Sequence, residues 1–479
     1  VDPAQNSARV STALIRPEDG EQLWTRDADL DLDDMFGLHD AVASQIATYL
    51  DIEVAPRESA RVSRLPADAY EALIKGRLAL DSGYQPDVLN EAISQFSRAL
   101  TMTPDLIEAH SGRAIAHLRL YHNYIDRSPA RLNLAREDVR KASEIDPDSA
   151  ESVFVRGYLE SFIGSADSAI QLLRRASLMR PGNSEYLEAL ARNERRIGDY
   201  DSALANLRKA VSIDPRNATL VYETGLTEAV VGDYRTAERS FQNALSIAPT
   251  AIESRIYLAW MYVLWLGDLD AANEQLYKLQ SDIGEVEFMR LFLQPGLWGF
   301  FTYTNEGIQD QLRNWDVREG GGELAAWYLA MAVAETRDKQ AEAAAEYYAL
   351  AAEQRRVSVA ESPSDPWLTA ELAIALAGAG NKDEAIAAAD RLLRLAPVDD
   401  DVYNNSDFLW ARATVFVMLN IQDQAITELR NAIRYPALMT PLSLQLDPAW
   451  ERIFENDQFL ELLSEDRSSW RSDLIARNN

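Results

Sequence analysis

The sequence predicts an all-α fold, a superhelical solenoid of antiparallel helix pairs, with a short α/β remnant (a β-hairpin plus a helix) at its amino-terminal end. Three observations carry this. First, Pro147, Pro181, Pro215 and Pro249 recur every 34 residues (181−147, 215−181, 249−215), a period typical of stacked helical repeats. Second, an alanine stands twelve residues before each proline (Ala135, Ala169, Ala203, Ala237) and another five before it (Ala142, Ala176, Ala210, Ala244), with Val139, Leu173, Leu207 and Phe241 between them. In a helix, positions i, i+4 and i+7 share one face, so small residues admit a partner helix closely while the larger one fills the gap. Third, Ala114, Gly157, Ala191 and Gly225 hold the matching small position on the preceding helix, and Gly164, Gly198 and Gly232 mark the turn between helices. Each proline then stops the second helix, because it cannot continue the hydrogen-bond ladder.

Over residues 107–249 this pattern resembles the tetratricopeptide repeat (TPR). It extends upstream through Ala92, Phe96, Ala99 and Pro104, with a first helix around Tyr70 to Leu80, and the repeat ending at Pro147 is stretched around Tyr121 to Pro129. Downstream, Gly267, Ala272, Leu276 and Leu279 form a worn repeat. Ala373, Gly380, Ala385, Ala389, Leu392 and Pro397 form a regular one, as do Ala413, Ala425, Leu429, Ala432 and Pro436, and Leu329, Ala343, Tyr347 and Leu350 suggest a further pair. The aromatic run Leu297 to Tyr303 and the glycines Gly320 to Gly322 break the register, which leaves a hinge or a degenerate repeat open for that stretch. The organisation expected is therefore 1–55 as the end of an α/β domain, 56–66 as a linker, 67–283 as a first array, 284–322 as the irregular stretch, 323–436 as a second array and 437–479 as a cap.

The amino-terminal part reads as the middle of a larger unit. Val10 to Ile15 alternates as a strand, Asp19-Gly20 is a hairpin turn signal and Gln22 to Arg26 returns. Met35, Leu38, Ala41, Val42, Ile46 and Leu50 then trace an amphipathic helix. Residues 9–50, through Arg9, Val10, Leu14, Ile15, Gly20, Leu23, Trp24, Asp34, Phe36, Leu38 and Ile46, resemble the closing hairpin and helix of the TolB-like domain. That domain precedes TPR arrays in bacterial class III adenylate and guanylate cyclases and in membrane-spanning winged-helix regulators. Residues 447–463 resemble the terminal cap of the same arrays, with fewer basic residues. The resemblance implies a non-catalytic protein-interaction or sensor module of a bacterial signalling protein. Its alternatives are the regulatory region of a nucleotide cyclase or membrane-spanning regulator, and a free-standing assembly scaffold, possible as a homo-oligomer. In the membrane-spanning regulators the array lies outside the inner membrane, which favours the periplasmic side over the cytoplasm.

Composition narrows the chemistry. Lys plus Arg is 47 and Asp plus Glu is 76, a net charge of −29, and so acidic a surface disfavours direct nucleic-acid binding. Cysteine is absent, which excludes disulfides and thiolate chemistry. The longest apolar run, Ile256 to Gly267, falls short of the roughly 20 residues a membrane-spanning helix needs. No phosphate loop, zinc-protease helix or nucleophile elbow occurs, so no catalytic residue, cofactor or metal is expected and the chain is read as a non-enzyme. Of the histidines His39, His110, His117 and His122, His110 falls at a core position and no acidic residue is spaced to complete a metal set. The acidic run Asp27 to Asp34 lacks the glycine and distal glutamate of a calcium loop and reads as an exposed linker.

The resemblance also implies where a partner docks. In the TPR family the first helix of each repeat faces the concave side, which names Phe154, Tyr158 and Phe162 in one repeat, Arg192, Arg195 and Arg196 in the next, and Tyr222 and Leu226 in the third. Three arginines between aromatic shelves suit a protein or peptide ligand with acidic groups or a free carboxyl terminus. The alternative is internal pairing of the arginines with Glu188 and Glu194. The chaperone-tail clamp of some family members needs lysine where Ser111, Phe154, Glu188 and Tyr222 stand, and is not supported.

Overall fold

The computed structural model describes residues 7–15, 22–31 and 65–464, apart from 84, 123–124, 434 and 436–439. Strands β1 (Ser7–Ile15) and β2 (Gln22–Asp31) pair antiparallel, from Ser7 opposite Asp31 to Leu14 opposite Trp24, with one irregularity at Leu14/Ile15. The hairpin is therefore present. Asp27 to Asp31 continue its second strand instead of forming the expected linker, since their backbone completes the ladder with Ser7 to Ser11. The expected turn at Asp19-Gly20 and helix at Met35 to Leu50, like Pro436 and His39, lie outside the described residues.

The chain divides into two compact units, residues 1–162 and 163–479, a boundary that the sequence reading did not place. The first unit contains α1 (Ala67–Ser82), α2 (Pro86–Met102), α3 (Ile107–His122), α4 (Pro129–Ile145) and nearly all of α5 (Ala150–Ile163). Its helices pair α1 with α2 and α3 with α4. Phe96 on α2 is fully buried, and an added Cβ on Gly112 of α3 would come within 2.3 Å of its ring. Close approach, rather than backbone freedom, fixes that glycine.

The second unit opens with α6 (Ala166–Met179), α7 (Ser184–Arg196), α8 (Tyr200–Ile213), α9 (Ala218–Val230) and α10 (Tyr234–Ile247). Here the 34-residue period is written into the caps as well as the core. Ser165, Asp199 and Asp233 each accept a hydrogen bond from the backbone N–H three residues on, satisfying a donor that the helix start leaves open. The second helices end two residues before each proline, and Asp214 N–H closes onto the Ala210 carbonyl as Ala248 N–H does onto Ala244. The eight periodic alanines are fully buried. Gly198 and Gly232 take φ of +82° and +73° at the turns, a conformation that glycine adopts without penalty.

Beyond α10 the regularity loosens. Helix α11 (Ile252–Met261) runs into a π-helical turn at Tyr262–Leu266, and α12 (Leu269–Ile283) follows. Residues 284–322 form α13 (Glu285–Phe292), a 3-10 turn (Trp298–Tyr303), α14 (Glu306–Asn314) and α15 (Val317–Gly320). Phe288, Phe292, Phe300, Phe301, Ile308 and Leu312 from this stretch share one core with residues on both sides of it. Regular pairs resume with α16 (Leu324–Arg337) and α17 (Ala341–Glu361), α18 (Pro366–Gly378) and α19 (Lys382–Leu395), then α20 (Ser406–Met418) and α21 (Gln422–Ala432). Buried Arg355 on α17 bridges Glu323 and Glu371, and Glu371 also accepts from Gly296 N–H at 2.8 Å and Trp298 Nε1–H at 2.7 Å. A cap closes the unit: α22 (Pro441–Leu446), a 3-10 turn (Pro448–Ile453) and α23 (Asp457–Ser464), with Trp450 and Phe459 stacked. Thr440 donates its hydroxyl to the Leu264 carbonyl at 2.8 Å, so this end bonds to helices far upstream.

Candidate partner-binding groove

The residues named from the sequence fall into both units. In the first, Phe154 is fully buried, Tyr158 nearly so and Phe162 half-buried. Their rings form a row with centroids 5.8 and 5.2 Å apart, and His122 lies edge-on to Phe162 at 4.9 Å. Arg119 Nε donates to the Tyr158 hydroxyl at 3.5 Å. The other two described histidines serve the core: His110 faces Asp138 Oδ1 at 2.8 Å and the Pro104 carbonyl at 2.9 Å, while burial and then Arg131 push the His117 ring down to about 4. Among the described residues no cluster of three metal-binding side chains occurs.

In the second unit α7, α9 and α11 present one continuous face, and the arginines on it are already engaged. Arg195 is buried, with Nη1 donating to Glu223 Oε2 at 2.8 Å and to Thr227 Oγ1 at 3.0 Å. Arg192 lies 3.8 Å from Glu223 Oε1 and 3.7 Å from Glu188. Burial works to raise the Glu223 carboxyl, and Arg195 with Arg192 more than offsets it, so its pKa lies below the ordinary glutamate value. The pairing with Glu188 expected as the alternative is thus present, whereas Glu194 turns away to Asn206 at 2.7 Å and Arg174 at 3.4 Å. The three arginines do not form an open cationic patch, because Glu223 neutralises two of them and Arg196 has a different partner.

That partner comes from 205 residues downstream. Arg196 Nε donates to Asp401 Oδ2 at 2.6 Å, and the Arg196 carbonyl, one of those a helix end leaves open, accepts from Val402 N–H at 2.7 Å. The next residue, Tyr403, lies with its ring under the Arg195 guanidinium, 4.8 Å from its carbon to the ring centroid. Tyr403 joins an apolar cluster with Tyr200, Tyr222, Leu226 and Tyr257. The loop joining α19 to α20 therefore lies along the face of α7, α9 and α11, held by a backbone bond, a carboxylate and an aromatic ring. It is shaped for this by Asp401 itself, which accepts from Asn404 N–H at 2.9 Å and Asn404 Nδ2 at 2.8 Å, side-chain bonds that hold the local turn. At the loop's end, burial and then Asp401 push the half-buried Asp407 carboxyl up to about 7. Burial likewise raises Glu253 on α11.

Glu223, Tyr257, Asp401, Val402 and Tyr403 escaped the sequence reading. A local signal existed for two other buried glutamates, Glu194 and Glu228, which stand 34 apart (228−194), but none for Glu223. Glu228 accepts from Ser240 at 2.7 Å as Glu194 does from Asn206. For Asp401 to Tyr403 the sole hint was the acidic run after Pro397.

Comparisons with known proteins agree on the fold. Residues 154–218 and 188–252 match the model of the tetratricopeptide repeat family. Solved structures similar to this chain include MamA, 21% identical over 33% of this chain and 93% of that one with a TM-score of 0.29. YrrB, described as a TPR protein with an unusual peptide-binding site, is 19% identical over 39% and 89%, TM-score 0.25. The human IFIT1 dimer with m7Gppp-AAAA is 18% identical over 75% and 77%, TM-score 0.44. No curated protein matches the chain significantly. No helix among the described residues is long and apolar enough to cross a membrane.

Proposed function

We propose that this chain is a non-catalytic protein-interaction module that holds a segment of a partner protein against the first helices of its repeats. One observation carries the reading: the face of α7, α9 and α11 already grips a stretch of irregular chain through the Arg196 carbonyl, the Arg196 side chain and an aromatic shelf. Those are the means by which a groove recognises a peptide, main chain for affinity and pockets for side chains. In the first unit the half-buried Phe162, at the end of the buried row Phe154 and Tyr158, is the residue within reach of a partner. The setting we infer is a bacterial signalling protein, on the resemblance at residues 9–50 and 447–463, with a cyclase-linked region or a free scaffold as the alternatives.

A photo-crosslinking amino acid placed at Phe162 or Tyr222 tests this in cells. The expected product joins the chain to one discrete protein, and a probe at exposed Leu178 does not give it. Equal products from all three positions would discard the reading.

A further inference from the structure

We infer that residues 401–403 are an intramolecular stand-in for the partner, and that the partner carries an acidic residue two positions before an aromatic one. The inference rests on the interaction-module reading and adds the ligand's chemistry and a built-in competitor. Three features of the second unit support it. The first is the manner of attachment. Asp401, Val402 and Tyr403 lie in a connection between helices, not in a helix, and each meets the groove through a different kind of contact: charge, backbone and ring. Asp401 is buried against α7, while Val402 and Tyr403 stay half-buried and Asn404 is exposed, so beyond its anchoring carboxylate the segment is not sealed beneath other elements.

The second feature is that the groove is incompletely satisfied by what it holds. Arg195 Nε and the Tyr200 hydroxyl are both buried without a hydrogen-bond partner among the described residues. Tyr200 sits within the field of both Arg195 and Asp401, beside the occupant. Buried donors without acceptors are uncommon in native proteins. A ligand with a further acceptor next to its aromatic residue would satisfy both groups, which the chain's own segment does not.

The third feature is the charge. The segment brings Asp401 to the carboxy-terminal end of α7, onto Arg196. In a protein of net charge −29, an acidic partner segment would otherwise be repelled, so selection of such a ligand comes from the Arg196 guanidinium. An occupant tethered in the same chain competes at high effective concentration. It lowers the apparent affinity for a partner by the fraction of molecules whose groove is open.

The test uses the full chain and a labelled peptide PVDDDVYNNS, residues 397–406, read by fluorescence anisotropy. Asp401→Asn keeps an acceptor for the Asn404 N–H but removes the charge held by Arg196, and should bind the peptide at least tenfold more tightly than the unaltered chain. Adding Arg196→Gln should abolish the gain, and a peptide with asparagine in place of its third aspartate should show none. Tyr403→Ala serves as a second opening variant, and helicity is compared first. Unchanged peptide affinity in both variants would overturn the inference. So would equal binding of the asparagine peptide, loss of helicity in both variants, or self-association of Asp401→Asn without uptake of peptide. A chain that cross-links a partner at Tyr222 but takes no peptide keeps the interaction-module reading and loses this one, whereas one that takes the peptide but cross-links no partner loses the reading and, with it, the stand-in role.

Discussion

Replacing Arg195 with alanine should destabilise the second unit locally, and the structure sets the size of the effect. The substitution removes the bond to Glu223 at 2.8 Å and leaves that carboxylate buried. Breaking a buried pair from one side typically costs about 3–5 kcal/mol. Arg192, 3.8 Å from the other Glu223 oxygen, remains to share the charge, which places the expectation near the lower end, about 3 kcal/mol. Because long repeat arrays seldom unfold in one step, the assay is hydrogen exchange of the α7 and α9 amides. At about 1.4 kcal/mol per tenfold, exchange there should quicken about a hundredfold while α2, in the first unit, is unaffected. The pH dependence has a definite sign. A carboxyl whose folded pKa is depressed contributes stability above its ordinary value and loses it as pH falls through the folded one. The deficit of Arg195→Ala should therefore be full at pH 7 and shrink below roughly pH 4.5. The double variant Arg195→Met with Glu223→Gln should recover most of the loss. A deficit that ignores pH, or a double variant no better than the single, would refute the reasoning that this arginine and glutamate form one buried unit.

Asp407 has a folded pKa raised to about 7, so its contribution runs the other way: stability falls as pH rises from about 4 to 7. Asp407→Asn should match the unaltered chain in thermal midpoint at pH 4.5 and exceed it at pH 8. The gain should be ~1–2 kcal/mol, less than the raw shift implies because the group is half-exposed. Ala203→Phe adds a ring where Ala191, Ala203 and Leu207 meet with no space, and should cost roughly 1–3 kcal/mol in denaturant melts. An unchanged midpoint would contradict the helix register. Asp199→Ala and Asp233→Ala remove equivalent caps, and each should cost about 1 kcal/mol, read as faster exchange in the first turn of α8 or α10 respectively.

The repeat was legible because its determinants are local. Spacing of Ala203, Leu207 and Ala210 writes a helix face directly, and Pro215 writes its end. The groove positions Arg192, Arg195, Tyr222 and Leu226 came from the resemblance to the TPR family, whose first helices line the concave side, once the proline spacing had fixed the register. What covers that face was not legible. Asp401 to Tyr403 meet Arg195 and Arg196 only because the intervening helices return the chain there, and no periodicity links positions 205 residues apart. The state of the arginines followed the same division. Glu188, one turn before Arg192, could be weighed as a partner, whereas Glu223 belongs to the next repeat and lies four residues before the Thr227 that completes the site. Residues 284–322 resisted for another reason: their short helical pieces are held by aromatic packing and by Glu371, a partner drawn from a later helix.

The bonds from Val402 to Arg196 and from Thr440 to Leu264 alter how the second unit comes apart. A linear stack of repeats frays from its ends, each repeat answering only to its neighbours. Where late residues are bonded to early ones, an end cannot loosen alone, and damage near residue 440 is felt near residue 264. Heat or denaturant would then release the α7 to α11 segment together with the α20 to α22 segment, as a single cooperative event spanning much of the unit's sequence.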